Sequence, residues 1–122
     1  MEAEHAEDRP KPEAIRVTPE RVTHILDGNS TGGGHRHGTG KPGKTEFPAD
    51  WGDDKIIETA RSVARQPDQR PVLQDRNNRW LCVGTRDSVE VSVIVLPDGE
   101  VWTAWPKEGS PGVVRNPRKG KS

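Results

Sequence analysis

The feature that most constrains this chain is a glycine-rich segment in its first half. From Gly28 to Gly43 there are seven glycines in sixteen residues. Few side chains in this segment can pack into a core, so helices and strands have to form on either side of it. Its backbone amides can instead approach a ligand closely. The segment therefore predicts either a flexible linker or a loop that lines a site.

The rest of the chain is also polar, which leaves room for only one small core. Of 122 residues, 29% are hydrophobic and 31% are charged, and there are 13 glycines and 11 prolines. This composition is typical of a single loop-rich domain or of partial disorder. The single cysteine excludes an intramolecular disulfide framework and a cysteine-rich zinc finger. Short apolar runs and an acidic start predict neither a membrane anchor nor a signal peptide in this chain.

Charge distinguishes the two ends from the middle. Nineteen basic residues balance nineteen acidic ones, so net charge does not indicate a nucleic-acid binder. The balance conceals an asymmetry, because residues 1–18 carry five acidic and three basic side chains and residues 107–122 carry one acidic and five basic. We expect a flexible acidic leader over 1–18, a folded domain over 19–107 and a flexible basic tail over 108–122.

Two helices are predicted on either side of the glycine-rich segment. Thr18 is a good N-cap and Pro19 suits the first helical position, so a short helix should run to about Ile25 or Leu26. A longer central helix is expected from Asp53 to Gln66. Its apolar residues recur at helical spacing, at Ile56, Ile57, Ala60, Val63 and Ala64.

Three antiparallel strands should follow the central helix, after a polar connection over residues 68–79. They are expected at 79–85, 88–96 and 101–105, and the second of them alternates valine with other residues. Pro97-Asp98-Gly99-Glu100 predicts a hairpin turn between the last two. The fold class is therefore α+β, with a short N-terminal helix, a glycine-rich loop, a central helix and a C-terminal β-meander.

The segment Gly38–Thr45 matches the phosphate-loop pattern GxxxxGK[ST] letter for letter. That pattern works only between a buried strand and a helix that starts at the lysine. Glycines and histidines precede the segment, and Pro48 lies where the helix should run. These neighbours argue against nucleotide binding.

A metal site is a second interpretation of the same region. His35 and His37 could supply two ligands and His24 a third. No cysteine pair and no HExxH motif accompanies them, so we expect neither a metal nor another cofactor.

Acid–base catalysis on RNA is the third interpretation. One histidine can take the proton of a ribose 2′-OH, a second can protonate the leaving 5′-oxygen, and a lysine can stabilise the charged phosphate. His24, His35 and Lys44 supply these groups. Each has an ordinary alternative, since His24 can cap a helix, Lys44 can be solvated and His35 can lie in a linker.

The order of motifs decides between these interpretations. His24-Ile25-Leu26 with Gly28, then Gly33-Gly34-His35, then the run from Gly43 to Pro48, and finally Thr103-Ala104-Trp105-Pro106 follow one another along the chain. This series resembles the bacterial EndoU-type nuclease family. Animal EndoU proteins and the coronavirus uridylate-specific endoribonuclease are relatives of that family. The resemblance covers about residues 20–107 and implies an EndoU-like fold.

The resemblance also implies site residues and a reaction. His35 would be the general base, His24 the general acid and Lys44 the third catalytic residue of a metal-independent endoribonuclease that leaves a 2′,3′-cyclic phosphate. Thr103 and Trp105 would bind substrate. Trp105 stands where tyrosine is usual, and its indole can stack on a base but offers no phenolic hydroxyl.

Many bacterial EndoU domains form the C-termini of secreted polymorphic toxins. By this resemblance we expect a monomeric toxin domain that acts on RNA in the cytoplasm of a target cell and is inhibited by a cognate immunity protein. The alternative hypothesis is a non-catalytic RNA- or protein-binding module that uses the basic tail with Trp102 or Trp105.

Overall fold

The computed structural model describes residues 9–74 and 77–118. Within these ranges a 3₁₀ turn at Pro12–Ala14 precedes two helices and six strands. The helices are α1 (Pro19–Leu26) and α2 (Asp53–Arg65). The strands are β1 (Thr45–Glu46), β2 (Val72–Gln74), β3 (Arg79–Arg86), β4 (Val89–Val95), β5 (Val101–Pro106) and β6 (Val114–Arg115). The predicted α+β class is confirmed.

The core lies between α2 and a four-stranded antiparallel sheet in the order β2-β3-β4-β5. The predicted apolar stripe of α2 is buried throughout, and the helix packs on β3 and β4. The alternating valines of β4 form the facing surface and are also buried, at Val89, Val91, Val93 and Val95. Alternation thus separates a core face from an outer face of the sheet.

Both helices form for the local reasons expected. Thr18 caps α1, because its Oγ1 accepts a hydrogen bond from the backbone N–H of Arg21 at 3.3 Å. The helix ends at Leu26, before Asp27 and a left-handed Gly28. In α2 the acidic residues lie in the first turn and Arg65 lies in the last, as the helix dipole favours.

Three short strands, β1, β2 and β6, were not expected. The sequence predicts a polar connection over residues 68–79. In the structure β2 lies within them and pairs with β3 in the register Val72↔Leu81. That expectation was wrong because three residues are too short for alternation to identify. A long-range backbone ladder, rather than the composition of the segment, makes these residues extended.

Packing contacts extend beyond residues 19–107 at both ends. In the expected leader, Ile15 belongs to the core and Arg16 forms a β-bridge with Glu100. In the expected tail, β6 pairs with β1 in the register Thr45↔Arg115. Residues 15–16 and 114–115 therefore contact partners that are distant in sequence. The flexibility of the leader and of the tail stays a prediction. Residues 1–8 and 119–122 lie outside the described ranges. They include most of the acidic residues of the expected leader and the last basic residues of the expected tail.

None of the helices in residues 9–74 and 77–118 combines the length and apolar character needed to cross a membrane.

The stability of the fold should depend on the contact between α2 and the sheet. Ile56 is 0% exposed, so Ile56→Ala should lower the free energy of unfolding by about 2–5 kcal/mol. Val72 on β2 is 56% exposed, and Val72→Ala should change it by about 0.5 kcal/mol or less. Urea unfolding measures both, and equal losses would show that the core is not at this contact.

Candidate functional site

The glycine-rich segment is held against the end of α1 by backbone hydrogen bonds. The N–H groups of Gly34, His35 and Arg36 donate to the carbonyls of His24, Ile25 and Leu26 at 2.9, 2.9 and 3.0 Å. A helix leaves its last carbonyls without intrahelical donors, and here the loop supplies them. The segment is therefore a docked loop. It brings His35 next to the helix that carries His24.

Gly33 makes this close approach possible. It has a φ of +81°, and a Cβ at this position would lie 2.0 Å from the carbonyl oxygen of His24 and 2.9 Å from its ring Cδ2. No other residue fits both the left-handed backbone and the available space. The glycine thus lets the loop lie directly over the His24 ring.

The His24 side chain is 2% exposed and is oriented by one amide. Its Nδ1 lies 3.0 Å from Asn29 Oδ1, which also accepts the backbone N–H of Thr31 at 2.9 Å. Because the N–H of Thr31 donates to this atom, the atom is the amide oxygen, and Nδ1 of His24 must carry the proton. In the neutral ring, Nε2 then has the free lone pair.

The His35 side chain is 7% exposed and is fixed in the same way by β1. Its Nδ1 donates to the carbonyl oxygen of Thr45 at 2.7 Å. The hydroxyl of Thr45 donates in turn to the carbonyl of Pro106 at the end of β5, at 3.0 Å. Neutral His35 therefore also has its lone pair on Nε2, and its position depends on both β1 and β5.

His24, His35 and Lys44 lie close enough together for their charges to affect one another. Burial lowers the pKa of His35 to about 4, the bond to Thr45 opposes this shift, and the charges of Lys44 and His24 add to it. Burial also lowers the pKa of His24, against the bond to Asn29 and together with the charges of Arg21 and Lys44. The structure thus brings the three predicted residues together, with both imidazoles neutral at pH 7.

The ammonium of Lys44 lies near Gly32, which precedes the glycine that covers His24. A Cβ at Gly32 would lie 3.8 Å from Lys44 Nζ. The neighbouring Lys41 places its side-chain carbons over Gly34 and Gly28 instead. Of the two lysines, Lys44 is the one whose charge acts on both histidines.

The two predicted substrate residues are further along β5. Thr103 pairs with Ile94 and Trp105 with Ser92, so both side chains lie on the outer face of the sheet and are half-buried. In the described part of the chain, no hydrogen bond joins either side chain to the histidines or Lys44. Trp105 precedes Pro106, whose carbonyl accepts the hydroxyl of Thr45, and the carbonyl of Thr45 in turn accepts His35 Nδ1–H.

Trp102, rather than Trp105, is the indole beside His24. The centroids of the two rings are 6.1 Å apart. The register of β4 and β5 shifts between Ile94 and Val95, which leaves Trp102 as an extra residue on β5. The alternation of residues along the sequence does not locate such a bulge. The position of Trp102 beside His24 could therefore not be predicted from the sequence.

A buried carboxylate holds the second half of the loop. Glu46 accepts hydrogen bonds from the backbone N–H groups of Gly38 and Gly40 and from Asn116 Nδ2, each at 2.8 Å. Burial alone would raise its pKa, but these three donors and the nearby His37 lower it below the usual value. No local sequence pattern indicates this role, because the partners lie on both sides of Glu46 along the chain.

The other two interpretations of this region can be compared with the structure. Lys44 is followed by β1, and the next helix begins at Asp53. A phosphate-loop lysine would lie at a helix start. His37 contacts the carbonyl of Phe47 through Nδ1 at 3.2 Å, away from the other two histidines. Within the described ranges, no group of three or more His, Cys, Asp or Glu side chains is placed to hold a metal ion.

Glu46→Gln should loosen the loop without removing a catalytic group. Its amide NH₂ would face N–H donors, so the free energy of unfolding at pH 7 should fall by about 1–3 kcal/mol. Because the folded pKa of Glu46 is lowered, the difference from wild type should persist above about pH 4.5 and shrink as the pH falls below it. Urea unfolding across this range measures it. Glu58→Gln is the matched control, and an equal effect there would contradict the assignment.

The pKa of His35 predicts a second pH effect of the same sign, at higher pH. Between about pH 6.5 and pH 4 the unfolded chain binds a proton at His35 that the folded protein does not, so stability falls as the pH is lowered. From pH 7.5 to pH 5 this contribution is about 2 kcal/mol. His35→Gln should lose that part of the pH dependence. If both proteins have the same pH dependence in urea unfolding, His35 is not held neutral.

A comparison with known protein families gives a match. The family model described as "Bacterial EndoU nuclease" matches residues 38–108, more than half of the chain. The matched range contains Lys44, Thr103 and Trp105 but begins after His24 and His35, so the place of the histidines rests on the geometry above. No curated protein and no solved structure matches the chain. The family match agrees with the order of motifs, and the chain belongs to the bacterial EndoU nuclease family.

Proposed function

We propose that the protein is a metal-independent endoribonuclease that uses the 2′-OH of its substrate as the nucleophile and leaves a 2′,3′-cyclic phosphate. One observation carries the proposal. Two neighbouring imidazoles, His24 and His35, each bind an internal acceptor through Nδ1 and keep the lone pair of Nε2, beside the ammonium of Lys44. This is the set of groups that in-line transfer between two oxygens requires.

His35 is suited to be the general base. Its pKa of about 4 keeps it neutral at physiological pH, so Nε2 can accept the proton of the 2′-OH. The Thr45 carbonyl stabilises the imidazolium that forms, because it accepts the bond from Nδ1–H. The same bond fixes the ring orientation during proton transfer.

His24 is suited to be the general acid once the substrate is bound. In the free protein burial and the charges of Arg21 and Lys44 lower its pKa. A phosphodiester beside the ring adds a negative charge, which favours the protonated form. His24 Nε2–H can then donate to the leaving 5′-oxygen, and Lys44 stabilises charge on the non-bridging oxygens.

Substrate entry requires the loop to move. The two rings are only 2% and 7% exposed, and Gly33 lies over the ring of His24. In the described part of the chain, the turn from Asn29 to Gly33 is held by its own backbone bonds and by the contacts of Asn29 and Thr31 with His24. We therefore propose that this turn shifts when RNA enters, while the part held by Glu46 stays in place.

The biological role is proposed from the family resemblance. We propose a monomeric effector domain, delivered as part of a secreted toxin, that cuts RNA in the cytoplasm of a target cell. A cognate immunity protein would protect the producing cell. Thr103 and Trp105 remain proposed substrate contacts on the outer face of β5, where the indole can stack on a base.

The proposal is tested by cleavage of total RNA in the presence of EDTA. His24→Ala, His35→Ala and Lys44→Ala should each lower the rate by about 10²- to 10⁴-fold, since each removes a proton-transfer or charge-stabilising group. Mass spectrometry should find a cyclic phosphate at the new 3′ end, and a DNA strand of the same sequence should stay intact.

His37→Ala is the matched control, because this histidine lies on the same loop but bonds to Phe47. It should cut at close to the wild-type rate. RNA binding without cleavage by the wild type would favour the non-catalytic alternative. Wild-type rates in all three triad variants would show that the assigned residues are wrong.

A further inference from the structure

Two arginines from different elements lie over the ring of Trp102. The guanidinium carbons of Arg21 on α1 and Arg79 on β3 are 3.8 and 4.4 Å from the ring centroid. The bulge in β5 directs the indole to α1, where it meets both groups and His24. Three elements that are far apart in sequence thus form one cationic cluster, which we call the Trp102 stack (Arg21, Trp102 and Arg79).

Arg21 is a buried cation that the described residues do not neutralise. Its side chain is only 4% exposed, and its Nε and Nη2 are buried without a hydrogen-bond acceptor. No carboxylate of residues 9–74 or 77–118 forms an ion pair with it. A buried charge without a counter-charge destabilises a fold, and stacking on an indole offsets only part of that cost. Such a charge favours the binding of an anionic ligand.

The Trp102 stack adjoins the candidate active site. His24 is 6.1 Å from Trp102 between ring centroids, and the charge of Arg21 is one of the causes that lower the pKa of His24. Lys44 acts on the same histidine. The positive charges at this end of the molecule therefore surround the place where the scissile phosphate would lie, although the chain as a whole is neutral.

We propose that Arg21, Trp102 and Arg79 form a phosphate subsite, which binds a phosphodiester of the RNA strand next to the one that is cleaved. The planar guanidinium groups match phosphate oxygens, and the indole keeps both groups in place before the strand arrives. The partly exposed Arg79 and Trp102 form the open edge of the subsite, and the buried Arg21 adds its charge in a medium that screens it poorly. This inference rests on the proposed function and adds to it a second contact with the substrate.

The test separates binding from cleavage by using a single-stranded DNA oligonucleotide. DNA lacks the 2′-OH, so it can occupy the phosphate subsites without being cut. Fluorescence anisotropy would give its affinity at several salt concentrations. Arg21→Met and Arg79→Met should each weaken binding about tenfold and reduce the salt slope by about 0.7, the value expected for one phosphate contact on a single strand.

Arg61→Met is the matched control. It removes the same charge from α2, where Arg61 pairs with Glu58 on the surface. Its affinity and salt slope should stay within about twofold of wild type. With RNA as substrate, Arg79→Met should raise KM and leave kcat within a few-fold, because it removes binding that the ground state and the transition state share.

Stability provides a second readout for Arg21. If its charge is kept for a ligand, Arg21→Met should unfold at the same urea concentration as wild type or higher. If it fails to fold, Arg21 has a structural role and the subsite as proposed is overturned. Unchanged oligonucleotide affinity and salt slope in Arg79→Met would overturn it as well, and would favour an acidic protein as the partner of this surface.

The two proposals fail separately. If wild type binds DNA, both arginine variants weaken that binding and no RNA is cut, the phosphate subsite stands and the proposed nuclease function fails. If RNA is cut by way of His24 and His35 and the arginine variants bind like wild type, only the subsite fails.

Discussion

The candidate site depends on three backbone hydrogen bonds between the glycine-rich loop and the C-terminus of α1. The helix has only eight residues, and its last carbonyls need donors. Gly34, His35 and Arg36 supply them and become ordered in return. These three hydrogen bonds therefore satisfy the carbonyls at the end of the helix, hold the loop and place His35 beside His24.

The second half of the loop is fixed by different means. Glu46 accepts hydrogen bonds from two backbone N–H groups of the loop and from the amide of Asn116, and β6 pairs with β1. These contacts hold Thr45, whose carbonyl orients His35. A polar chain with a small core thus secures its site by hydrogen bonds to main chain, because its glycines leave little side-chain volume to pack.

Features that depend on local sequence were predictable. Thr18 and Pro19 marked the start of α1, the apolar spacing marked α2, and valine alternation with Pro97–Glu100 marked the hairpin of β4 and β5. The family resemblance supplied His24, His35 and Lys44, and the structure places these three together. Their catalytic roles, and those of Thr103 and Trp105, stay predictions.

Features that depend on pairing between distant residues were not predictable. β2 and β6 are three and two residues long, so no periodicity can identify them; they form by pairing with β3 and β1. The Glu46 contacts and the bulge that turns Trp102 towards α1 are likewise properties of the assembled fold. The stacking of Arg21 on Trp102 depends on that bulge, because Trp102 is the one aromatic partner of its guanidinium in the described residues.

Burial of both imidazoles would couple the proposed binding of an anion to the binding of a proton. In the free protein His24 is largely uncharged at pH 7, because water is excluded and two cations lie nearby. An anion that reaches the ring offsets those cations, so it binds together with a proton. By thermodynamic linkage each then favours the other: acidification strengthens anion binding, and the anion draws a proton from the solvent. In the proposed reaction, the charge that His24 needs as an acid would therefore arrive with the ligand.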